Sequence, residues 1–155
     1  MTSSTTDTPT LRLASRDDER AVEALLTSAR LPLDGVHDAL PCFIVAESAG
    51  EIVGVAGIEG CGTSGEHALL RSVAVAPTWQ KRGLGRALVT RTIAEAESRG
   101  TKALYLLTTT AEGYFPTFGF VTTSRDNVPD DVKATSEYCG VCPSSATVMV
   151  RQSPA

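Results

Sequence analysis

The stretch from His67 to Arg99 constrains this chain more than any other. His67 to Val75 is dominated by small and branched apolar residues and is halted by Pro77, so it reads as a strand. From Gly83 to Arg99, Leu88, Val89, Thr92, Ile93 and Ala96 recur on one stripe, and Arg99-Gly100 supplies a stop signal. That pattern predicts an amphipathic helix. Between strand and helix lies a basic loop, Ala76 to Arg82, and glycines stand at positions 83 and 85 of the helix entry. A helix N-terminus presents unpaired N–H groups and the positive end of its dipole. Gly83 and Gly85 let an anion approach the backbone, while Lys81, Arg82 and Arg86 add charge. Together these features describe a cradle for a diphosphate. A phosphate loop of the Gly-Lys-Ser/Thr type is absent. In a dinucleotide fold a third glycine would stand where Leu88 is, and seven residues would not separate strand from glycine. A plain connection with a solvated basic loop is the bland alternative.

The flanking sequence supplies the rest of a sheet. Leu11 to Ala14 is a short strand candidate. Ser15 follows with acidic Asp18 three positions on, an N-cap signature, and Val22, Leu25, Leu26 and Ala29 then carry helical spacing up to Arg30-Leu31-Pro32. Leu33 to Leu40 suits a second short helix. Phe43 to Glu47 and Glu51 to Glu59 form a hairpin about Ala49-Gly50. Ala103 to Thr108 is a continuous apolar strand, of a kind buried on both faces. Ala111 to Phe118 is expected as a short helix, Phe120 to Thr123 as a strand, Val128 to Ala134 as weakly helical and Ala146 to Val150 as a last strand. This order predicts an α/β (α+β) domain with a mixed sheet over residues 10–152, preceded by a flexible leader, residues 1–9.

Composition narrows the partners. Hydrophobic residues make up 42% of the 155, enough for a core. A net charge of −4 argues against nucleic acid as the main partner, although a local basic patch still suits a small anion. No apolar run approaches the roughly 20 residues that span a bilayer, so no membrane partner is expected. The Ser/Thr-rich start has no basic region followed by an apolar stretch, which points to the cytoplasm. The four cysteines, Cys42, Cys61, Cys139 and Cys142, are expected to be reduced thiols, because a domain of this length folds without disulfides. Cys139 and Cys142 form a single CxxC pair. Zinc would need two further ligands, and a redox pair should open a helix, so no metal is expected.

Gln80-Lys81-Arg82-Gly83-Leu84-Gly85, after the strand ending Val73-Ala74-Val75-Ala76-Pro77, resembles the Gln/Arg-x-x-Gly-x-Gly/Ala signature of the GNAT acetyltransferases. The order of elements from Leu11 to Val150 agrees with that family. The resemblance implies a mixed, mostly antiparallel central sheet flanked by helices, and acetyl transfer from acetyl-CoA to an amine. Leu106-Leu107-Thr108-Thr109-Thr110-Ala111, Tyr114-Phe115 and Gly119-Phe120 are similar to amino-acid N-acetyltransferases, among them N-acetylglutamate synthases and arsenic-resistance enzymes. Thr135-x-Glu137-Tyr138 and Cys142-Pro143-Ser144-Ser145-Ala146 look more like the arsenic-resistance group. The glutamate enzymes tend to carry basic residues in this tail. Here Tyr138 to Cys142 has none, which argues against glutamate and for a small amino acid or amino-acid-like acceptor, an arsenic-bearing one included.

The resemblance also distributes roles. Cofactor contacts fall to Val73, Ala74, Val75, Gln80, Lys81, Arg82, Gly83, Leu84, Gly85, Arg86, Thr108 and Phe115. A backbone N–H of Val73 to Val75 would serve the oxyanion. Glu59, directly or through water, is the candidate base, with His67 second. The family's acid position, four residues before Gly119, is Phe115, which has no proton to give. Neighbouring Tyr114 is the remaining acid candidate; in a regular helix it would point about 100° away, so either the Gly113/Pro116 irregularity re-aims it or no protein acid is used. Protonation of the thiolate by water needs no acid. Arg71 suits a substrate carboxylate because its fork matches one, and strand parity places it with Val73 and Val75 while Ser72, the other substrate-side candidate, faces away. The family often dimerises, and a terminal strand such as Ala146 to Val150 can be exchanged. A CoA-binding sensor without catalysis, or a thiol binder of arsenicals or metals through Cys139 and Cys142, are readings from other classes.

Overall fold

A computed structural model describes residues 9–31, 33–59, 66–108, 113–133 and 146–152. The chain runs β1 (Thr10–Leu13), α1 (Glu19–Ser28), α2 (Val36–Ala39), β2 (Phe43–Ser48), β3 (Glu51–Glu59), β4 (His67–Val75), α3 (Leu84–Ser98), β5 (Ala103–Thr108), β6 (Val121–Thr123), α4 (Asp130–Lys133) and β7 (Thr147–Gln152). The strands form one seven-stranded sheet in the order β1-β2-β3-β4-β5-β7-β6. Every neighbouring pair is antiparallel except β4 and β5. The crossover that makes this pair parallel is α3 with its entry loop, as a parallel connection requires. Both flanks of β7 are paired, by β5 and β6.

Alternation along the strands fills two layers of core. Ala68 and Leu70 of β4, Ile58 of β3 and Leu104 and Leu106 of β5 pack under Val89, Ile93 and Ala96 of α3. On the other face Val22, Leu25 and Leu26 of α1 cover Phe43, Val45, Val55 and Ala74. Leu69, Tyr105, Val148 and Val150 are covered there by Val128 and Val132. The entry to α1 follows the capping signal: Asp18 accepts from the Ser15 N–H at 2.8 Å and from both Arg12 nitrogens at 2.7 and 3.0 Å. Arg12 Nε also donates to Glu47 at 2.9 Å, fastening β1 to β2. The hydrogen bonds from Arg12 hold the Asp18 carboxyl down at about 2.

The expected elements are present, with local differences. The segment predicted as a helix over Ala111 to Phe118 is a 3₁₀ turn at Phe115–Phe118, since Pro116 has no N–H for an α-helical bond; residues 111–112 lie outside the described part. The second short helix is limited to Val36–Ala39 and continues as a 3₁₀ turn over Leu40–Cys42, where Pro41 intervenes. Cys42 is disulfide-bonded, against the expectation of reduced thiols. A core large enough to fold unaided does not forbid a cross-link, because pairing depends on the approach of two sulfurs in space. Cys61, Cys139 and Cys142 lie outside the described residues, as do the leader up to residue 8, the loop 60–65 and the tail 134–145. Among the described residues no helix is long and apolar enough to cross a membrane.

Candidate active site

The site is set by a fault in the sheet. β4 and β5 pair only over His67–Leu69 and Ala103–Tyr105, and then part. On the other flank, β4 stays paired with β3, but Val55↔Ala74 is followed by Gly57↔Arg71, so three steps on β4 match two on β3. The extra residue is Ser72, whose φ of +61° is left-handed. A bulge of this kind bends and twists its strand. Beyond it β4 leans away from β5 and a cavity of about 260 Å³ opens between them. Leu70, Ser72 and Val73 line it from β4, and Leu106, Leu107 and Thr108 from β5. Leu31, Tyr114 and Phe115 complete the wall.

Backbone polarity in the gap follows from pairing. The Ala76 N–H donates to the Val53 carbonyl at 2.8 Å, so Ala76 and Ala74 turn their backbone groups to β3. Alternation then aims those of Val73 and Val75 into the gap. One is already engaged: the Val75 carbonyl accepts from Gln80 Nε2 at 3.1 Å.

The open end of the gap meets the first turn of α3. Gly83 caps the helix at φ +84°, and a Cβ there would meet nothing within 4 Å, so its backbone is open to an approaching group. Lys81 is also left-handed, at φ +65°. Leu84 is not at the surface: its side chain is buried against β3 with Leu88 and anchors the helix entry. Two arginines are held by rings, Arg82 over Trp79 at 5.0 Å and Arg86 over Phe118 at 4.9 Å. A Cβ on Gly85 would lie 3.7 Å from Tyr114 Oη and 3.8 Å from Val75 Cγ2, so the helix entry, the end of β4 and Tyr114 converge. The arrangement offers a cationic, N–H-rich mouth for phosphates and an apolar slot with strand-edge backbone for an extended chain. Those are the two requirements of acetyl-CoA, and the residues fit it.

The sequence-based candidates divide into three groups. Ser72, Val73, Thr108, Tyr114 and Phe115 share one cavity, whereas Gln80, Lys81, Arg82, Gly83, Gly85 and Arg86 lie along the entry to α3. Val75 lies beside Gly85 at the helix entry, and the Ala74 side chain turns into the α1 layer. Glu59 and Arg71 meet each other: Arg71 Nη1 donates to Glu59 Oε1 at 2.8 Å, and the arginine side chain is fully buried. His67 lies at the closed end of the β4–β5 pair, edge-on to Tyr105.

Two expectations need correction. Arg71 does not share a face with Val73 and Val75. The bulge inserts one residue, so Leu70 and Val73 line the same cavity while Arg71 lies behind its wall. Ser72, expected to face away from Val73, lines the cavity beside it. Of the two alternatives for Tyr114, the cavity wall fits the re-aimed one: the stretch around Gly113 and Pro116 is irregular, Tyr114 is the N-cap of its 3₁₀ turn, and both Tyr114 and Phe115 line the cavity. Sequence reasoning missed Leu31, Leu70, Leu106 and Leu107 as wall residues. Leu31 had a signal, its place beside the helix-ending Pro32, but nothing in its spacing aims it at β4.

Solved structures with this architecture include N-acetylglutamate synthase from Neisseria gonorrhoeae, in complex with coenzyme A and N-acetyl-glutamate. It aligns with a TM-score of 0.78 at 23% identity, covering 94% of this chain and 35% of the synthase chain. This chain therefore spans about a third of that protein's length. Rv2747 from Mycobacterium tuberculosis, in complex with CoA, aligns with a TM-score of 0.77 at 20% identity, over 94% of this chain and 99% of its own. The GNAT family N-acetyltransferase YhbS from Escherichia coli, in complex with CoA, aligns at 0.69 and 17% identity, over 98% and 85%. At these identities the likeness is one of fold. The sequence profile of the acetyltransferase (GNAT) family matches residues 8–120, which covers β1 through the cradle to the end of the Tyr114–Phe120 segment, and the chain belongs to that family.

Proposed function

We propose that this protein moves an acetyl group from acetyl-CoA to the amine of a small amino acid or amino-acid-like compound, in the gap between β4 and β5. The observation that carries this reading is the convergence of three parts: the bulge-opened cavity, the strand-edge groups of Val73 and Val75, and the open entry to α3.

Acetyl-CoA, when bound, supplies an activated acetyl thioester. Gln80, Lys81, Arg82, Gly83, Gly85 and Arg86 would hold its phosphates, and the edge of β4 its extended arm. The Val73 N–H would donate to the oxygen on which negative charge develops. Confinement of both reactants in one slot supplies proximity. Glu59 accepts the proton of the acceptor amine through water, since its carboxylate lies behind the wall at Arg71 and Ser72 and not in the cavity itself. Tyr114 walls the slot, and the thiolate takes its proton from water.

The wall also bears on the acceptor. Apart from Ser72, Thr108 and Tyr114 its described residues are apolar, and none is Lys or Arg. Arg71, the nearest cation by sequence, is spent on Glu59. The loop 60–65, residues 109–112 and the tail 134–145 contain no Lys or Arg either. An acceptor with a second, side-chain carboxylate would find no partner in these segments, and burying it unpaired is costly. Acceptors with short neutral side chains are favoured over glutamate. Mass spectrometry of acetylated product tests this, with acetyl-CoA and a panel of amino acids and analogues, glutamate and an arsenic-bearing analogue among them. A neutral amino acid or analogue should dominate. Dominant acetyl-glutamate would refute the acceptor assignment. Tight acetyl-CoA binding with no product from any amine would refute the catalytic one.

A further inference from the structure

We propose that Arg71 is a positioning residue: its guanidinium ties Glu59, the β4 bulge and the segment between α1 and α2 into one unit, so that the carboxylate is set only when that segment is docked. This rests on Glu59 acting as the base. The Arg71 side chain is fully buried, and its bonds run in three directions. Nε donates to Ser72 Oγ at 2.9 Å. Nη1 donates to Glu59 Oε1 at 2.8 Å and to the Asp34 carbonyl at 2.6 Å. Ser72 is the bulge residue itself, and Leu31, from the same segment as Asp34, lines the cavity.

A guanidinium removed from water must keep its acceptors, because leaving one donor unpaired carries a desolvation cost. Undocking of the segment would therefore loosen the hold on Glu59 and on the bulge together. The reverse also holds: the acceptor-side wall is stiffened by the same contacts that fix the base. This differs from the carboxylate-binding role suggested by sequence. A residue that recognises a substrate carboxylate must present donors to the cavity, whereas Arg71 is not among the wall residues and points its described donors at protein acceptors. Lysine cannot replace it, since a single ammonium does not reproduce a fork that reaches three separate segments.

The test is a double-mutant cycle on the full chain. kcat and both KM values are measured for the wild type, Arg71→Lys, Glu59→Gln and the double variant, with thermal melts and acetyl-CoA binding to verify folding. Arg71→Lys is expected to lower kcat by about tenfold or more while the acceptor KM moves less than about threefold. In the Glu59→Gln background the same change should cost less than about threefold, because the residue acts through the carboxylate. Additive losses would overturn the proposal, as would a large rise in acceptor KM with kcat retained, which marks a direct substrate ligand. Glu59→Gln with unchanged kcat would instead refute the base assignment. Should Arg71→Lys fail to fold, the cycle is run with Ser72→Ala, which removes the Nε acceptor together with a wall hydroxyl; its kcat loss must likewise vanish beside Glu59→Gln, and a loss that persists there would overturn the proposal.

Discussion

Gly54 of β3 underlies the cofactor cradle, and replacing it with alanine should damage that cradle selectively. A Cβ at this position would lie 2.7 Å from Leu88 Cδ1, 3.2 Å from Leu84 Cδ2 and 3.5 Å from the Ala74 carbonyl. The first of these is closer than carbon atoms tolerate, so something must move. β3 is clamped by ladders to β2 and β4 on both sides. Leu88 is fully buried and Leu84 nearly so. The element with freedom to yield is the first turn of α3, and Leu84 is the residue after Gly83. Overpacking of this kind costs about 1–3 kcal/mol. For a chain of this size, melting should fall by about 2–4 °C per kcal/mol. If about 1 kcal/mol of the displacement is felt at the cradle, acetyl-CoA affinity drops roughly fivefold. Calorimetric titration with acetyl-CoA and thermal melts read both quantities, and the acceptor KM should stay within about twofold of the wild type. Gly57→Ala is the control. Its Cβ would run into the Phe43 ring on the opposite face, where that ring is fully buried under α1. It should cost at least as much stability without a selective loss of acetyl-CoA. Equal effects of the two variants on cofactor binding would refute the reasoning. So would a Gly54→Ala protein that melts higher, since the Leu88 terminus would then have room to give.

Two further outcomes follow from the same structure. The Asp18 carboxyl is held at about 2 against an ordinary 3.8, so its contribution to stability is full above the unfolded value and is lost as pH falls from about 4 towards 2. Asp18→Asn should therefore cost about 1–2 kcal/mol at pH 7, after allowance for the partly exposed Arg12, and only a small part of that at pH 2, where about half of the folded carboxyls are protonated, as read by urea unfolding at the two pH values. Tyr114→Phe should lower kcat by less than about tenfold, because the ring's role is to wall the slot; a drop of about a hundredfold or more, with the loss concentrated in kcat, would instead make its hydroxyl the proton donor.

Legibility in the sequence followed locality. The strand–loop–helix from His67 to Ser98 was readable because each cue is contiguous: an apolar run, Pro77, a basic glycine-bearing loop and a 3.6-residue stripe. The hairpin of β2 and β3 was readable from its turn, and the capping of α1 from Ser15 and Asp18. Tyr114 was harder, because it is the N-cap just before the 3₁₀ turn, where no helical period fixes its direction, and its ring packs on both Phe115 and Phe118.

The bulge at Ser72 was not readable at all, and most of the site depends on it. Period-two alternation is reliable only while the ladder is regular, and one inserted residue moves every later side chain to the other face. Ser72 carries no glycine or asparagine to announce a positive φ. Its hydroxyl accepts from buried Arg71, a bond between chain neighbours that no periodicity announces. The side-chain bonds of Arg71 join the left-handed residue, Glu59 and the segment at Asp34. The strand that looks most ordinary in the sequence becomes the one that opens the sheet, and it opens at the point where an acetyl group and an amine would have to meet.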